Sequence, residues 1–177
     1  MKKNISLSLK NTVNFISYEE IIALAQQSVR HLDSLNNGTG AGDDFLGWLS
    51  LPDDILPQLD RIDKIAKHLR SISDITVVIG IGGSYLGSRA VIEALSHSFS
   101  SLRKEKHHEI IFAGQHISED YLAELIEILD TVSYSIVVIS KSGVTTEPAI
   151  AFRILRNHLE KKEGKAVAGD RIVAITD

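Results

Sequence analysis

The chain has no cysteine among its 177 residues. That excludes a disulfide framework and a thiol nucleophile, and it fits a reducing, cytoplasmic setting. It also lacks an excess of basic charge. Nineteen Lys and Arg against 23 Asp and Glu give a net charge of −4, which argues against nucleic acid or an acidic membrane surface as partner. No apolar run approaches the length of a membrane span. The opening MKKNISLSLKNTVNF lacks the continuous apolar stretch of a signal peptide. No internal repeat or low-complexity segment is present, and the seven histidines show no metal-ligand spacing. No cofactor and no metal are expected. Any anionic ligand must then be held by local dipoles and a few basic groups, because the overall field repels it.

What is present suits a soluble globular chain, with 44% hydrophobic and 24% charged residues. Two helical stretches come first. Tyr18 to Leu35 carries Ile21, Ile22, Ala25, Val29 and Leu32 at helical spacing, and Asn36-Asn37-Gly38 ends it. Pro52 to Arg70 carries Ile55, Leu56, Leu59, Ile62, Ile65, Ala66 and Leu69. Pro57 is tolerated only in a first turn, so the regular part of this helix is expected to begin near there. Between the two lies the flexible run Gly38 to Gly42, followed by the apolar Phe45-Leu46-Gly47-Trp48-Leu49.

From residue 75 the pattern becomes an alternation of strands and helices. Strands are expected at 75–81, 109–114, 135–140 and 171–177, each a short β-branched run of the kind covered on both faces of a parallel sheet. Helices are expected at about 84–98, 118–130 and 147–163. This order predicts an α/β fold, a three-layer doubly wound parallel sheet preceded by two N-terminal helices. Residues 1–70 are read as a helical segment packing on the domain, and 71–177 as the α/β domain itself. The charged stretches Arg103 to His108 and Glu160 to Lys165 are read as solvated linkers. His31, His68, His97 and His158 are read as surface residues, and His116 as a turn residue, with lining the crevice as the alternative.

The most informative segment is Val138 to Pro148, VISKSGVTTEP. An apolar strand runs into a tight loop rich in hydroxyls, and the loop into a helix opened by Glu147 and Pro148. Such a loop offers an anion several unpaired N–H groups at the positive end of a helix dipole. Ser140, Ser142, Thr145 and Thr146 add hydroxyls, and Lys141 adds a positive charge. The plain alternative is a Ser/Thr-rich turn with an ordinary cap, and local chemistry alone does not separate the two.

The first strand ends in a second such loop, GIGGSYLGSR at 80–89. It is no dinucleotide fingerprint, because the third glycine position falls on Tyr85 and the second strand ends without an acid for a ribose. It is no mononucleotide P-loop, because Gly87 is followed by Ser88-Arg89. It remains a glycine turn that lets a ligand approach the backbone, although Gly82-Gly83 could equally serve only close strand–helix packing. Both loops follow parallel strands at one sheet edge, where they can converge on one crevice.

VVIGIGGSYLGSRAVIEAL (77–95), VVISKSGVTTEPAIAFRI (137–154) and GTGAGDDFLGWLSLP (38–52) resemble stretches of the bacterial-type glucose-6-phosphate isomerase family, in the same order along the chain. The pattern at 140–147 also resembles the wider sugar isomerase (SIS) fold. The resemblance implies a sugar phosphate substrate, glucose 6-phosphate or fructose 6-phosphate, in glycolysis and gluconeogenesis. It implies that Ser140, Lys141, Ser142, Gly143, Val144 and Thr145 hold the phosphate and that Gly83 and Ser84 contact the sugar. Gly82 and Glu147 are expected to line the site. Val144 stands where related sequences commonly carry Thr, which removes one hydroxyl and leaves the backbone donors.

Aldose–ketose isomerisation needs a carboxylate base over the reacting carbons, an acid/base for ring opening and a cation for developing charge. The resemblance places the corresponding Glu, His and Lys beyond position 177. The chain is therefore expected to be the N-terminal piece of a larger isomerase, holding no catalytic residue of its own and homodimeric as the full enzyme. Two other readings share the Ser/Thr loop. A sugar-phosphate-sensing regulator would carry a basic DNA-binding element, which the acid-containing N-terminal helices do not supply. Another isomerase of the same fold would lack GTGAGDDFLGW together with GIGGSYLG.

Overall fold

The computed structural model describes residues 6–12, 14–99 and 108–176. Its contacts divide the chain into two units, one running to Leu59 and the other from Asp60. In the first, α1 spans Tyr18–Asn36 and opens with a capping box. Ser17 Oγ accepts from the Glu20 N–H at 3.2 Å, and Glu20 Oε2 accepts from the Ser17 N–H at 2.9 Å. Those bonds hold the Glu20 carboxyl below its ordinary range. The stretch from Pro52 is broken where proline requires it. A short α2 (Leu51–Asp54) and a 3-10 turn (Leu56–Gln58) precede α3 (Leu59–Ile72).

The second unit is built on four strands, β1 (Ile75–Ile79), β2 (Glu109–Ala113), β3 (Tyr134–Ile139) and β4 (Ile172–Ile175). They pair in the order β2-β1-β3-β4, all parallel, with Ile79 level with Ala113 on one side and Val138 on the other. The crossovers carry α4 (Gly83–Leu95), α5 (Glu119–Thr131), α6 (Thr146–Glu163) and α7 (Lys165–Asp170). The expected parallel three-layer α/β architecture is thus present, with strand ends moved by at most two residues.

One sheet face carries the core. Ile75, Val77, Ile79, Ala113, Tyr134 and Ile136 pack against Leu122, Leu125 and Leu129 of α5 and Ala151, Leu155 and Leu159 of α6. Removing the Val, Leu and Ile side chains among these from water stabilises by ~1.5–3 kcal/mol each. Lys162 locks the two helices together. Its Nζ donates to the carbonyls of Leu129, Asp130 and Val132 at 2.6, 3.0 and 2.7 Å, closing the negative end of α5 with a cation. The opposite face carries α4, where Tyr85 packs on Phe112 with ring centroids 5.9 Å apart.

Three readings of charged sequence are corrected. Glu160 to Lys165 is no linker, because α6 runs to Glu163 and Gly164, at φ +82°, only breaks it before α7. His108 is no solvated residue either. It is half-buried, its Nδ1 3.0 Å from Ser73 O and its Nε2 2.8 Å from Thr76 Oγ1, which in turn meets Ser135 Oγ at 2.8 Å. The rest of Arg103 to His107 lies outside the described residues. His158, read as a surface residue, sits between Asp130 Oδ1 and the Tyr134 hydroxyl, each 2.8 Å away. Each histidine is satisfied by a residue on another element, which helical periodicity does not reveal.

Gly114 holds the sheet edge together. At φ +79°, an added Cβ would lie 2.9 Å from Ile79 Cγ2 and 3.0 Å from Pro148 Cα. Gly114→Ala should therefore lower unfolding free energy by about 2–4 kcal/mol, combining left-handed strain with the clash. Gly169→Ala, where an added Cβ meets nothing, should be neutral or stabilising by up to ~1 kcal/mol. Urea denaturation followed by far-UV circular dichroism checks both.

Burial holds the Tyr134 phenol above its ordinary pKa, and the negative charges of Asp130 and Glu163 push the same way. A phenol that keeps its proton more tightly when folded stabilises the chain below the ordinary value near 10, and this contribution drains away at higher pH. The urea midpoint should fall above about pH 10, and Tyr134→Phe should remove part of that fall. An unchanged alkaline slope in the variant would contradict the assignment.

Candidate functional site

The site follows from where the chain reverses direction across the sheet. β1 leads through α4 to β2 on one side, and β3 leads through α6 to β4 on the other. β1 and β3 are neighbours, so the loops at their C-terminal ends part toward opposite faces and leave a crevice between them. This is the switch point at which open parallel sheets bind ligands.

The loop after β3 is anchored by the Ser140 N–H, which donates to Ile175 O at 3.0 Å. Lys141, Ser142, Gly143 and Val144 are exposed, while Ser140 and Thr145 are half-buried. Gly143 makes the turn at φ +68°, and Val144 is 79% exposed, a side chain turned away from the core. The sequence suggested the serine hydroxyls as donors, and the structure adds a second use. Ser140 Oγ accepts from the Gly143 N–H at 3.1 Å, and Ser142 Oγ accepts from the Val144 N–H at 3.3 Å. Each hydroxyl thereby shapes the loop and keeps its own proton for another acceptor.

Thr145 takes the N-cap position of α6, yet its side chain makes no capping bond. Its Oγ1 faces Ser142 Oγ at 3.5 Å instead. The first turn of an 18-residue helix therefore ends uncapped beside a ring of hydroxyls. Pro148 is buried in that turn, and Glu147 is half-buried there as its only acid. A cavity of about 230 Å³ opens beside the loop, lined by Ser140, Gly143, Thr145, Phe152 and Thr176 among others.

The turn after β1 divides its labour among glycines differently from the sequence reading. Close strand–helix packing belongs to Gly80, where a Cβ would lie 3.1 Å from Ser84 Cβ and 3.2 Å from Ser84 O. Gly82 supplies the left-handed turn at φ +56° and starts α4, with the Leu86 N–H donating to its carbonyl at 3.0 Å. A Cβ on Gly82 or Gly83 would meet nothing within 4 Å, so their surroundings are open. Ser84 is half-buried in the first turn.

His116 has the turn role expected of it. Its Nδ1 accepts from the Ser118 N–H at 3.3 Å, and its ring stands edge-on to Tyr121 at 4.8 Å. Sequence reasoning passed over its neighbour Gln115, a half-buried amide one residue beyond the tight Gly114. The available signal was a polar residue directly after a buried strand end. Among the described residues no three His, Asp or Glu side chains group as a metal would need, and no helix is long and apolar enough to cross a membrane.

Known proteins resemble this chain in sequence and in fold. The chain is 49% identical to glucose-6-phosphate isomerase of Parabacteroides distasonis, over 99% of this chain and 40% of that protein. It is 50% identical to glucose-6-phosphate isomerase of Fusobacterium nucleatum, again over 99% and 40%. The chain thus spans about 40% of the length of these relatives. Among solved structures, a glucose-6-phosphate isomerase from Chlamydia trachomatis aligns over 64% of this chain and 21% of its own, with TM-score 0.51 and 31% identity. A hypothetical protein from Thermus thermophilus aligns over 88% of this chain and 35% of its own, with TM-score 0.64 and 22% identity, a likeness of fold. The phosphoglucose isomerase family model matches residues 58–177, a span that contains the whole sheet and both loops, and the chain belongs to that family.

Proposed function

We propose that this chain supplies the sugar- and phosphate-binding loops of an aldose–ketose isomerase that interconverts glucose 6-phosphate and fructose 6-phosphate. The observation that carries the reading is the uncapped start of α6 with the hydroxyls of Ser140, Ser142 and Thr145 in the loop before it, following the strand that neighbours the one leading into the open Gly82–Ser84 turn. The phosphate takes the N–H groups and hydroxyls of residues 140–145, with Lys141 as the nearby cation. Gly83 and Ser84 meet the sugar, and Gly82 and Glu147 line the crevice.

The electrostatics of the site match this ligand. A chain of net charge −4 repels anions at long range. A phosphate of about −1.5 to −2 charges must therefore be held at contact by backbone donors and hydroxyls. Such charge-assisted bonds are worth ~1.5–3 kcal/mol each. With the phosphate fixed at the β3 end of the crevice, the sugar chain extends toward the β1 turn.

Proton transfer needs further groups. Glu147 stands in the helix turn that faces the phosphate, away from the carbons that exchange a proton. We assign the base carboxylate, the ring-opening histidine and the lysine to parts of the protein beyond residue 177. The relatives named above are long enough to contain them. The complete enzyme is read as a cytoplasmic homodimer that engages neither nucleic acid nor membrane.

Two measurements test this. Replacing Ser142 and Thr145 together with Ala should weaken glucose 6-phosphate binding by about tenfold or more, whereas Lys67→Ala, on the exposed side of α3, should leave it unchanged. Equal losses in both would place binding elsewhere. In a coupled assay the purified 177-residue chain should bind sugar phosphate without turnover. Turnover that Glu147→Gln abolishes would move the base into this chain.

A further inference from the structure

One group at the same sheet edge has no role in the site described so far. Gln115 Oε1 is buried and has no hydrogen-bond partner. Its Nε2 reaches Phe112 O at 3.4 Å, the long limit of a bond. That carbonyl already accepts the Tyr121 hydroxyl at 2.6 Å. Exchanging the two amide atoms would set Oε1 against Phe112 O, oxygen against oxygen, so Oε1 is the unpartnered atom. A buried acceptor without a donor is costly and uncommon. The amide is thus loosely held at one end and unsatisfied at the other.

Its placement in the fold points to the crevice. β1 pairs with β2 and β3 so that Ile79, Ala113 and Val138 are level. The chain segments that follow these three level residues therefore leave the sheet at one and the same edge. Gly114 fixes the backbone just before Gln115 between Ile79 and the first turn of α6, with room for no side chain of its own. Gln115 therefore sits where the β1 turn, the end of β2 and the start of α6 meet.

We propose that Gln115 is a sugar-contacting residue, its Oε1 accepting a hydrogen bond from a hydroxyl of the sugar held between the two loops. This rests on the sugar-phosphate reading above. A phosphate dianion offers only acceptors and has no use for Oε1, whereas a sugar hydroxyl is a donor. The residue therefore reads the sugar and not the phosphate. Turning the amide toward the ligand costs little, because Tyr121 keeps Phe112 O satisfied, and it ends the isolation of Oε1.

Calorimetric titration of the 177-residue chain with glucose 6-phosphate and, separately, with inorganic phosphate at equal ionic strength tests this. The quantity read is the ratio of the two affinities, which a change in the folded fraction leaves unaltered. Gln115→Met should reduce that ratio about tenfold, the worth of one hydrogen bond from a buried site. Gln115→Glu keeps an acceptor at the position and should hold the ratio near its original value, although its added charge weakens both affinities. An unchanged ratio in Gln115→Met, or an equal loss in both variants, would overturn the inference while leaving the sugar-phosphate reading intact. An original chain that binds neither ligand would overturn that reading, and this inference with it.

Discussion

Parallel pairing between β1 and β3 is the constraint on which the rest of the structure depends. Because both strands run the same way, both end at one edge of the sheet. Because one crossover goes left to β2 and the other right to β4, their following helices must take opposite faces. The crevice between Gly82 and Thr145 is therefore a consequence of strand order, before any side chain is considered. The energy that maintains it lies below, in the buried residues of β1, α5 and α6. The close approach at Gly114 carries that order up to the ligand edge.

The second constraint is electrostatic. For an acidic chain to bind a dianion, as proposed above, it has to keep its donors local and already oriented. The uncapped start of α6 does this with peptide N–H groups, which add no net charge and need no flexible side chain to be ordered. The serine hydroxyls have two duties, since they hold the loop through the Gly143 and Val144 N–H groups and retain protons for a ligand. Burial of such polar groups without partners would be costly. Ser142 and Lys141 are exposed, so that cost does not arise for them.

Much of this was legible in the sequence because it depends on local pattern. Short β-branched runs such as ITVVI and SIVVI announced parallel strands, and the position of Pro57 announced the break before α3. The hydroxyl loop was legible from residue type and from its place between a strand and a helix. Most of the misses share one physical cause, which is partners distant in sequence. His158 and His108 lie among charged residues and look solvated, yet they close onto Tyr134 and Thr76, which come from other elements. Thr76 and Ser135 read as ordinary strand residues, although their hydroxyls meet across β1 and β3. The packing glycine is Gly80 and not the Gly82-Gly83 pair, because only the path of α4 decides which Cβ would clash. The helix α7 was hidden by Gly164, which reads as an end to helix and serves as a bend between two.

The central claim is that the β3–α6 loop and the β1–α4 turn form one binding site. A ¹H–¹⁵N correlation titration of the 177-residue chain with glucose 6-phosphate tests it most directly. The account predicts that the amides of Ser142 to Glu147 and of Gly82 to Ser84 shift together along one saturating curve, while those of α5 and α7 stay still. Shifts in only one of the two loops, or two curves with different midpoints, would contradict it.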